Sequence, residues 1–301
     1  GWSKAVKPWP SGMDAWTHWM HGPDNNPVSS DTMSEIPRNL QWRGLPVWQK
    51  SHEQTPSLDA MVTAKGRLFY IMDQGASGVG DMPDKWFLNA RDAFNGIPLW
   101  KRPIKEWGGK YWMKKQTQRV RMFSGTYQVF RRLVAVDDEV FATLGMHAPV
   151  SALDAATGKL IRNYAGTEKT FEILCHENRL LLAVNHALDK RNAESDVSIM
   201  AVDRTTGKIL WESKGYRGFK GGKAPTDHSS PYVDVVLTLG ENHVFFVDKQ
   251  DVIALDSATS KKMWSVKRSE NTDKLEGRST AIAHYNNILF FSQIRKGSKV
   301  K

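Results

Sequence analysis

Residues 200–211 read Met-Ala-Val-Asp-Arg-Thr-Thr-Gly-Lys-Ile-Leu-Trp, and three further segments align with them without gaps. These segments are residues 89–100, 151–162 and 253–264, and the shared pattern is Ala-x-Asp-x-x-x-Gly-x-x-x-Trp. Successive motif aspartates lie 62, 49 and 53 residues apart. This spacing is typical of β-propeller blades, in which each repeat buries its apolar faces against its neighbours.

Each residue type in the pattern has a structural reason. The Asp ends a strand and accepts N–H bonds from the following turn, the Gly supplies a left-handed turn position, and the Trp covers the junction between blades. Ser260 replaces the Gly in the fourth copy and Arg162 replaces the Trp in the second, which we interpret as tolerated erosion. The predicted structural residues of the repeat are Asp92, Asp154, Asp203, Asp256, Trp100, Trp211 and Trp264.

An apolar hairpin precedes each motif, with turns such as Lys65-Gly66 and Asn286-Asn287. Hairpin and motif together make four antiparallel strands, which is one blade. We therefore predict an all-β fold, a β-propeller of WD40/YVTN-like architecture with about four and a half blades in an incomplete ring. The predicted blades are residues 57–102, 131–163, 170–212, 232–265 and, in part, 278–294.

We divide the chain into an aromatic-rich N-terminal extension, residues 1–37, and the propeller, residues 38–301. The tryptophans of the extension are expected to pack on the ring. An open ring would expose two sheet edges, so we expect residues 40–48 to supply an outer strand that closes it, with the missing blades following Lys301. Because the chain starts at Gly1 without an initiator Met or an apolar leader, we expect a removed leader or a longer parent chain.

The net charge of +10 comes almost entirely from one segment. Residues 101–132 contain ten basic residues and one acid, so they contribute +9. The sequence has no apolar run long enough to cross a membrane as a helix. It has one cysteine, Cys175, which excludes an intrachain disulfide and a multi-cysteine metal site; we interpret it as a buried apolar side chain.

Two sets of propeller loops emerge on one face, which usually carries function: those from the second to the third strand, and those from the fourth strand to the next blade. Cationic and imidazole side chains predominate in these loops, which suits a small anionic ligand or a protein partner. The candidate ligand-binding residues are Asp73, Lys114, Lys115, Arg119, Arg121, His147, His186 and His228.

Some of these candidates are residue types that also serve in metal sites and in catalysis. His147 and His186 end corresponding strands but have no identifiable third ligand, so we predict no metal site. His228 follows Asp227, which suits a general base, but both residues also form turns, so catalytic residues stay unidentified. A second imidazole-rich set, in which we also predict no metal, consists of His18, His21, His52 and Glu53.

The repeats resemble those of the pyrroloquinoline-quinone (PQQ) propeller family, Ala-Leu-Asp-x-x-Thr-Gly-x-x-x-Trp, over residues 38–294. Residues 13–32 also resemble the start of exported PQQ-binding-like propellers, which implies a periplasmic or otherwise exported protein. PQQ dehydrogenases carry vicinal cysteines and a Glu/Asn/Asp calcium set. A single cysteine rules out the first, and the second matches no motif here. No cofactor is therefore assignable, and PQQ with calcium rests on the resemblance alone.

Three functions follow as hypotheses. The first is a non-catalytic scaffold that binds a ligand or a protein. The second is a PQQ-dependent oxidoreductase acting on alcohols or sugars, so the sequence leaves open whether the protein is an enzyme. The third is binding of an anionic polymer through the basic insert, residues 103–130, where cations and aromatic rings alternate. We expect that insert to be a solvated loop, and nucleic acid is not the expected partner.

Overall fold

The computed structural model describes residues 3, 10–36, 38–44, 58–75, 85–107, 129–187, 195–218, 235–249, 251–268 and 281–291. These residues form four four-stranded antiparallel sheets, one two-stranded hairpin and a single turn of 3-10 helix, Val129–Arg132. The all-β class and the propeller of four complete blades and part of a fifth are confirmed. In the described ranges no helix has the length and apolar character needed to span a membrane.

The blades follow one another along the chain. Blade one contains β1 (Leu58–Ala64), β2 (Arg67–Asp73), β3 (Trp86–Asp92) and β4 (Pro98–Pro103). Blade two contains β5 (Leu133–Val136), β6 (Glu139–Thr143), β7 (Val150–Asp154) and β8 (Leu160–Asn163). Blade three contains β9 (Thr170–His176), β10 (Arg179–Asn185), β11 (Val197–Asp203) and β12 (Ile209–Tyr216). Blade four contains β13 (Thr238–Leu239), β14 (His243–Asp248), β15 (Asp251–Asp256) and β16 (Lys262–Lys267), and the fifth begins with β17 (Ile282–Tyr285) and β18 (Ile288–Phe291).

Within each complete blade the strands pair in chain order. The first strand of a blade contacts the first strand of its neighbour: β1 meets β5, β5 meets β9, and β13 meets β17. These strands therefore lie nearest the propeller axis, and the fourth strands lie on the outside. The burial pattern agrees, because β9 is almost entirely buried whereas all six residues of β16 are exposed.

The hydrophobic core is divided into layers between consecutive blades. On β10, Leu180 and Leu182 face blade two, whereas Leu181 and Ala183 face blade four. Successive side chains of a strand point to opposite faces, so a strand between two other blades needs apolar residues at nearly every position. This explains why the inner strands read as continuous apolar runs. Every layer depends on two blades being present together.

Candidate functional site

Each motif aspartate organises the turn that follows it. Asp154 Oδ1 accepts hydrogen bonds from the hydroxyl of Thr157 at 2.6 Å and from its backbone N–H at 2.8 Å. The hydroxyl is the main reason why the pKa of Asp154 lies below its usual range. The third and fourth copies have the same arrangement at Asp203 and Asp256, and in the first copy turn N–H groups alone donate to Asp92.

The motif tryptophan joins a blade to the next one. Its indole N–H donates to the backbone carbonyl of the residue that follows the next motif aspartate, here called the motif carbonyl. Trp100 reaches Ala155 at 2.9 Å, and Trp211 reaches Ser257 at 3.0 Å. The ring of Trp100 also covers Gly158, where a Cβ would lie 2.6 Å from the indole Cδ2. The motif glycine is thus needed for the approach of the neighbouring ring as well as for its positive φ of 68°.

The copy of the motif without a tryptophan bonds to the next blade through other side chains. Arg162 Nη1 donates to the carbonyl of Thr206 at 3.0 Å, which is not the motif carbonyl. That carbonyl, on Arg204, accepts instead from the hydroxyl of Tyr164 at 2.7 Å. Tyr164 is fully buried between blades two and three. The substitution that looked like erosion is therefore compensated two residues later in the chain.

The N-terminal segment, residues 16–25, crosses all five inner strands. In every blade one backbone N–H lies two residues before the first hairpin turn, and this segment supplies an acceptor for it at 2.7–3.0 Å. The pairs are Thr63 with Trp16 O, Ala135 with Thr17 O, Cys175 with His18 Nε2, Leu239 with Pro23 O, and His284 with Asp24 O. The segment therefore links the inner strands of blades one to five.

His18 is the one side chain among these acceptors. Its Nε2 accepts from the Cys175 N–H at 3.0 Å, so Nδ1 carries the proton and donates to Thr17 Oγ1 at 2.7 Å. The Thr17 hydroxyl in turn donates to the His21 carbonyl at 3.1 Å. Burial of His18, which is 2% exposed, lowers the pKa of its imidazole to about 3. The ring is thus neutral and structural, and it has no free nitrogen for a metal.

Two aspartates at strand ends, one of them the predicted Asp73, hold loops. Asp73 is buried, and its Oδ1 accepts the N–H groups of Gly75 and Lys85 at 2.8 Å. Asp248 does the same for Arg217 and Gly218. These carboxylates receive N–H bonds from the rim backbone, which positions the loops. Five other predicted ligand-binding residues lie outside the described residues, namely Lys114, Lys115, Arg119, Arg121 and His228, and so do His52 and Glu53.

His186 lies in a polar cluster directly after the end of β10 in blade three. Its Nε2 is 2.9 Å from Ser198 Oγ and 3.4 Å from Glu212 Oε1. A nucleophilic triad needs the base to contact serine and carboxylate through different ring nitrogens, and here both partners meet the same one. His147 is half-buried in the turn after β6. Within the described ranges no three His, Cys, Asp or Glu side chains gather as a metal site.

Several described cations of the basic segment have partners within the protein. Arg132 is 1% exposed, donates to the Met146 carbonyl at 2.9 Å, and has its pKa lowered to about 10 by burial. Arg102 donates to the Gly158 carbonyl, and Lys101 lies 3.7 Å from the centre of the Phe87 ring. These cations stabilise the blades. From the sequence alone they are identified only as members of a positively charged segment.

A buried ion pair that the sequence did not predict lies on the inner strands. Glu172 Oε2 accepts the Leu237 N–H at 3.0 Å and is 3.9 Å from Arg131 Nη1. Both charged side chains are almost fully buried. The signal in the sequence is the acid inside the apolar run 170–175. The pair joins the inner strands of blades three and four to the start of blade two.

In the PQQ dehydrogenases whose repeats resemble those of this chain, a calcium ion accompanies PQQ. Such an ion needs several oxygen ligands around one point. The two buried acids of the described chain, Asp73 and Glu172, receive backbone N–H bonds in separate places. Cys175 lies in the layer between blades two and three, where burial raises its pKa to about 12. Asp73 and Glu172 therefore do not gather around one point as calcium ligands.

Comparisons with solved structures agree with the propeller fold. A europium-containing methanol dehydrogenase is 12% identical with a TM-score of 0.53, covering 90% of this chain and 54% of that one. A quinohemoprotein alcohol dehydrogenase from Comamonas testosteroni is 12% identical with a TM-score of 0.51, covering 93% and 46%. The chain thus spans about half the length of these enzymes, and at such identity the likeness concerns the fold alone.

BamB from Moraxella catarrhalis is 16% identical over 70% of this chain and 58% of that one, with a TM-score of 0.36. No curated protein matches the chain in sequence. A family model described as outer membrane protein assembly factor BamB matches residues 41–233 and 198–300, which together are most of the sequence. The repeats, the blades and this match agree, and the chain belongs to that family of PQQ-like propellers.

Proposed function

We propose that this chain is a non-catalytic scaffold that binds a protein partner on the outer strands of its blades. One observation carries the proposal. The residue directly before the motif tryptophan position is a large aliphatic residue in all four blades, and it is exposed in each. These residues are Leu99 at 41%, Ile161 at 49%, Leu210 at 42% and Met263 at 49%.

The geometry explains why these side chains are available. Trp100 and Trp211 point towards the following blade, where they reach the motif carbonyl. Adjacent residues of a strand point to opposite faces, so Leu99 and Leu210 point away from that junction. The outer ends of radially arranged sheets diverge. The result is a row of equivalent apolar contact points around the outside of the propeller, which suits an extended partner surface.

The charges beside these residues indicate what kind of protein surface could bind there. Lys159, Lys208 and Lys261 occupy the same position in three of the four motifs, directly after the turn. Apolar contacts flanked by lysines suit a partner whose surface combines aliphatic and acidic residues. The description of the family as an outer membrane protein assembly factor supports a protein partner and an exported, periplasmic location for this chain.

Site-specific photo-crosslinking in the source organism tests the proposal. A photoreactive amino acid at Ile161 or at Leu210 should cross-link to the same protein, because the two positions are equivalent. The matched control is Glu177, whose side chain is 83% exposed but lies at the first hairpin turn of blade three. Cross-links from all three positions alike, or from none, would count against an outer-strand binding surface.

The alternative function is a PQQ-dependent oxidoreductase. The similarity of the fold to that of two dehydrogenases is the reason to test it. Its test is a turnover assay with an alcohol or a sugar, PQQ, calcium and an artificial electron acceptor. Saturable turnover would overturn the scaffold proposal. Binding of an anionic polymer through residues 103–130 stays a prediction, and a strong salt dependence of affinity would identify it.

A further inference from the structure

We propose that the inner strands form a binding site for an extended peptide, and that the N-terminal segment, residues 16–25, is a displaceable occupant of that site. The site consists of the five backbone N–H groups that the segment bonds, one in each blade, and is here called the inner-edge site. Its ligand is an extended peptide that presents acceptors to these groups. The inner-edge site is separate from the outer strands, so the proposal does not depend on the proposed function.

The inner-edge site recognises mainly the backbone of its occupant. Each N–H group belongs to the first strand of its blade, and among the described strands that first strand pairs on one side only. The unpaired edge of a strand offers hydrogen bonds to an extended peptide whatever its sequence. Four of the five acceptors are backbone carbonyls, on Trp16, Thr17, Pro23 and Asp24. The site therefore suits peptides of different sequence.

Two side chains fix where the segment lies along the site. The amide nitrogen of Asn25 donates to the carbonyls of Leu237 at 2.6 Å and of Ile282 at 3.2 Å. The imidazole of His18 accepts from the Cys175 N–H at 3.0 Å. A peptide that binds in the same register therefore needs a side-chain acceptor and, seven residues later, a carboxamide.

The segment is held by hydrogen bonds more than by apolar contacts. Among the described residues from 10 to 36, His18 and Asn25 alone are buried, and both are polar. Trp19 stacks on Phe130 with ring centres 3.9 Å apart, but the residue stays 41% exposed. A hydrogen bond that breaks is replaced by one to water, so its net contribution to stability is small. An element with few buried apolar contacts opens more readily than the core.

The segment also has an unfavourable backbone conformation at two positions. His21 and Asn25 have positive φ values of 74° and 55°, in the left-handed region that residues other than glycine seldom adopt. This strain lowers the free energy needed to displace the segment. Asp14 Oδ2 lies 2.7 Å from His21 Nε2 and accepts the Ser30 N–H at 2.7 Å, so residues 14–30 form a loop with its own hydrogen bonds. Such a loop can leave the site as one unit.

A peptide in trans must compete with a segment that is covalently attached. Attachment gives the segment an effective concentration on the order of millimolar, which excludes a free peptide at micromolar concentration. The substitutions His18→Ala and Asn25→Ala, made together in the full chain, remove the two side-chain contacts of the segment and leave the inner strands unchanged. A fluorescein-labelled synthetic peptide of residues 10–36 is the probe, and its fluorescence anisotropy measures binding.

The probe should bind the double variant at least about tenfold more tightly than it binds the wild-type chain, and it should raise the urea midpoint of the variant. A matched peptide that carries the same two alanines should bind neither chain. Circular dichroism establishes that the double variant is folded. Equal binding of the two peptides, or no binding of the probe to the folded double variant, would overturn the proposal.

Hydrogen exchange in the wild-type chain gives a test that needs no substitution. The N–H of Cys175 donates to the segment, and because successive N–H groups of a strand point to opposite sides, that of Leu174 points to β10. Displacement of the segment should expose Cys175 alone, so its protection factor by NMR should be at least about 100-fold below that of Leu174. Equal protection of the two amides, whether high or low, would mean that the segment leaves only when the blade opens, and the proposal would be wrong.

Discussion

The imidazole of His18 accepts a hydrogen bond from the backbone N–H of Cys175 at 3.0 Å, across 157 residues of sequence. This bond occupies one of five equivalent positions at which the N-terminal segment meets an inner strand. The other four acceptors are backbone carbonyls, which do not titrate. Among these five acceptors, His18 is therefore the one that can titrate.

The first prediction concerns the stability of the folded protein at acidic pH. The pKa of His18 is lowered from 6.5 to about 3 in the folded protein, so the unfolded chain binds more protons between these values. Stability from the neutral ring is complete above pH 6.5 and declines as the pH falls towards 3, by up to about 1.4 kcal/mol per pH unit. Urea unfolding between pH 7 and 5.5 measures this slope above the range in which most carboxylates titrate.

The control is His18→Gln, because the amide oxygen of glutamine can accept the Cys175 N–H without titrating. This variant should have a flatter dependence of unfolding free energy on pH. His176→Gln removes an exposed histidine from the same strand and should keep the wild-type slope. Identical slopes for wild type and His18→Gln would show that His18 is not the titrating group.

The second prediction concerns Tyr164. Removal of its hydroxyl by Tyr164→Phe leaves the motif carbonyl of Arg204 without its donor and should cost about 1–3 kcal/mol in unfolding free energy. Tyr285→Phe, at an exposed tyrosine, should change stability by less than about 0.5 kcal/mol. Adding Arg162→Trp to Tyr164→Phe should recover part of the loss, because an indole reaches this carbonyl in other blades. No recovery would mean that blade two cannot accept a tryptophan.

The third prediction compares two glycines with positive φ. Gly215→Ala should cost about 1–2 kcal/mol through backbone strain alone, since nothing lies within 4 Å of the new Cβ. Gly158→Ala is also strained, at a φ of 68°, and in addition places a Cβ 2.6 Å from the Trp100 ring, so it should cost about 1–3 kcal/mol more. Denaturant midpoints of the two variants give the difference, and equal losses would contradict the role of Gly158 in the junction.

The fourth prediction concerns Cys175. Burial raises the pKa of this thiol to about 12, so a negligible fraction is thiolate at pH 8, and the side chain is 2% exposed. Ellman's reagent should therefore react with no thiol in the native protein and with one thiol per chain in guanidinium chloride. Rapid stoichiometric labelling of the native protein would place Cys175 at an accessible surface instead.

The sequence by itself determined the repeated unit. The order of the strands, the aspartate at each turn and the tryptophan in three of the four motifs depend on residues within one motif of twelve, and such short-range patterns are legible in a single chain. Cys175 as a buried side chain also followed from its apolar run. The repeated unit could be recognised despite the low sequence identity to the matched dehydrogenases, because the repeats within the chain can be compared with each other.

Only the tertiary structure decided how distant residues meet. Nothing local in residues 16–25 indicates that they supply acceptors to five strands as far away as His284. Likewise Arg132 reads as a surface cation in a positive run but is buried. Tyr164 carries no motif, although it replaces a missing tryptophan. The physical reason is that a backbone N–H at a sheet edge can donate to an acceptor from any part of the chain, and no sequence periodicity indicates which part the fold brings there.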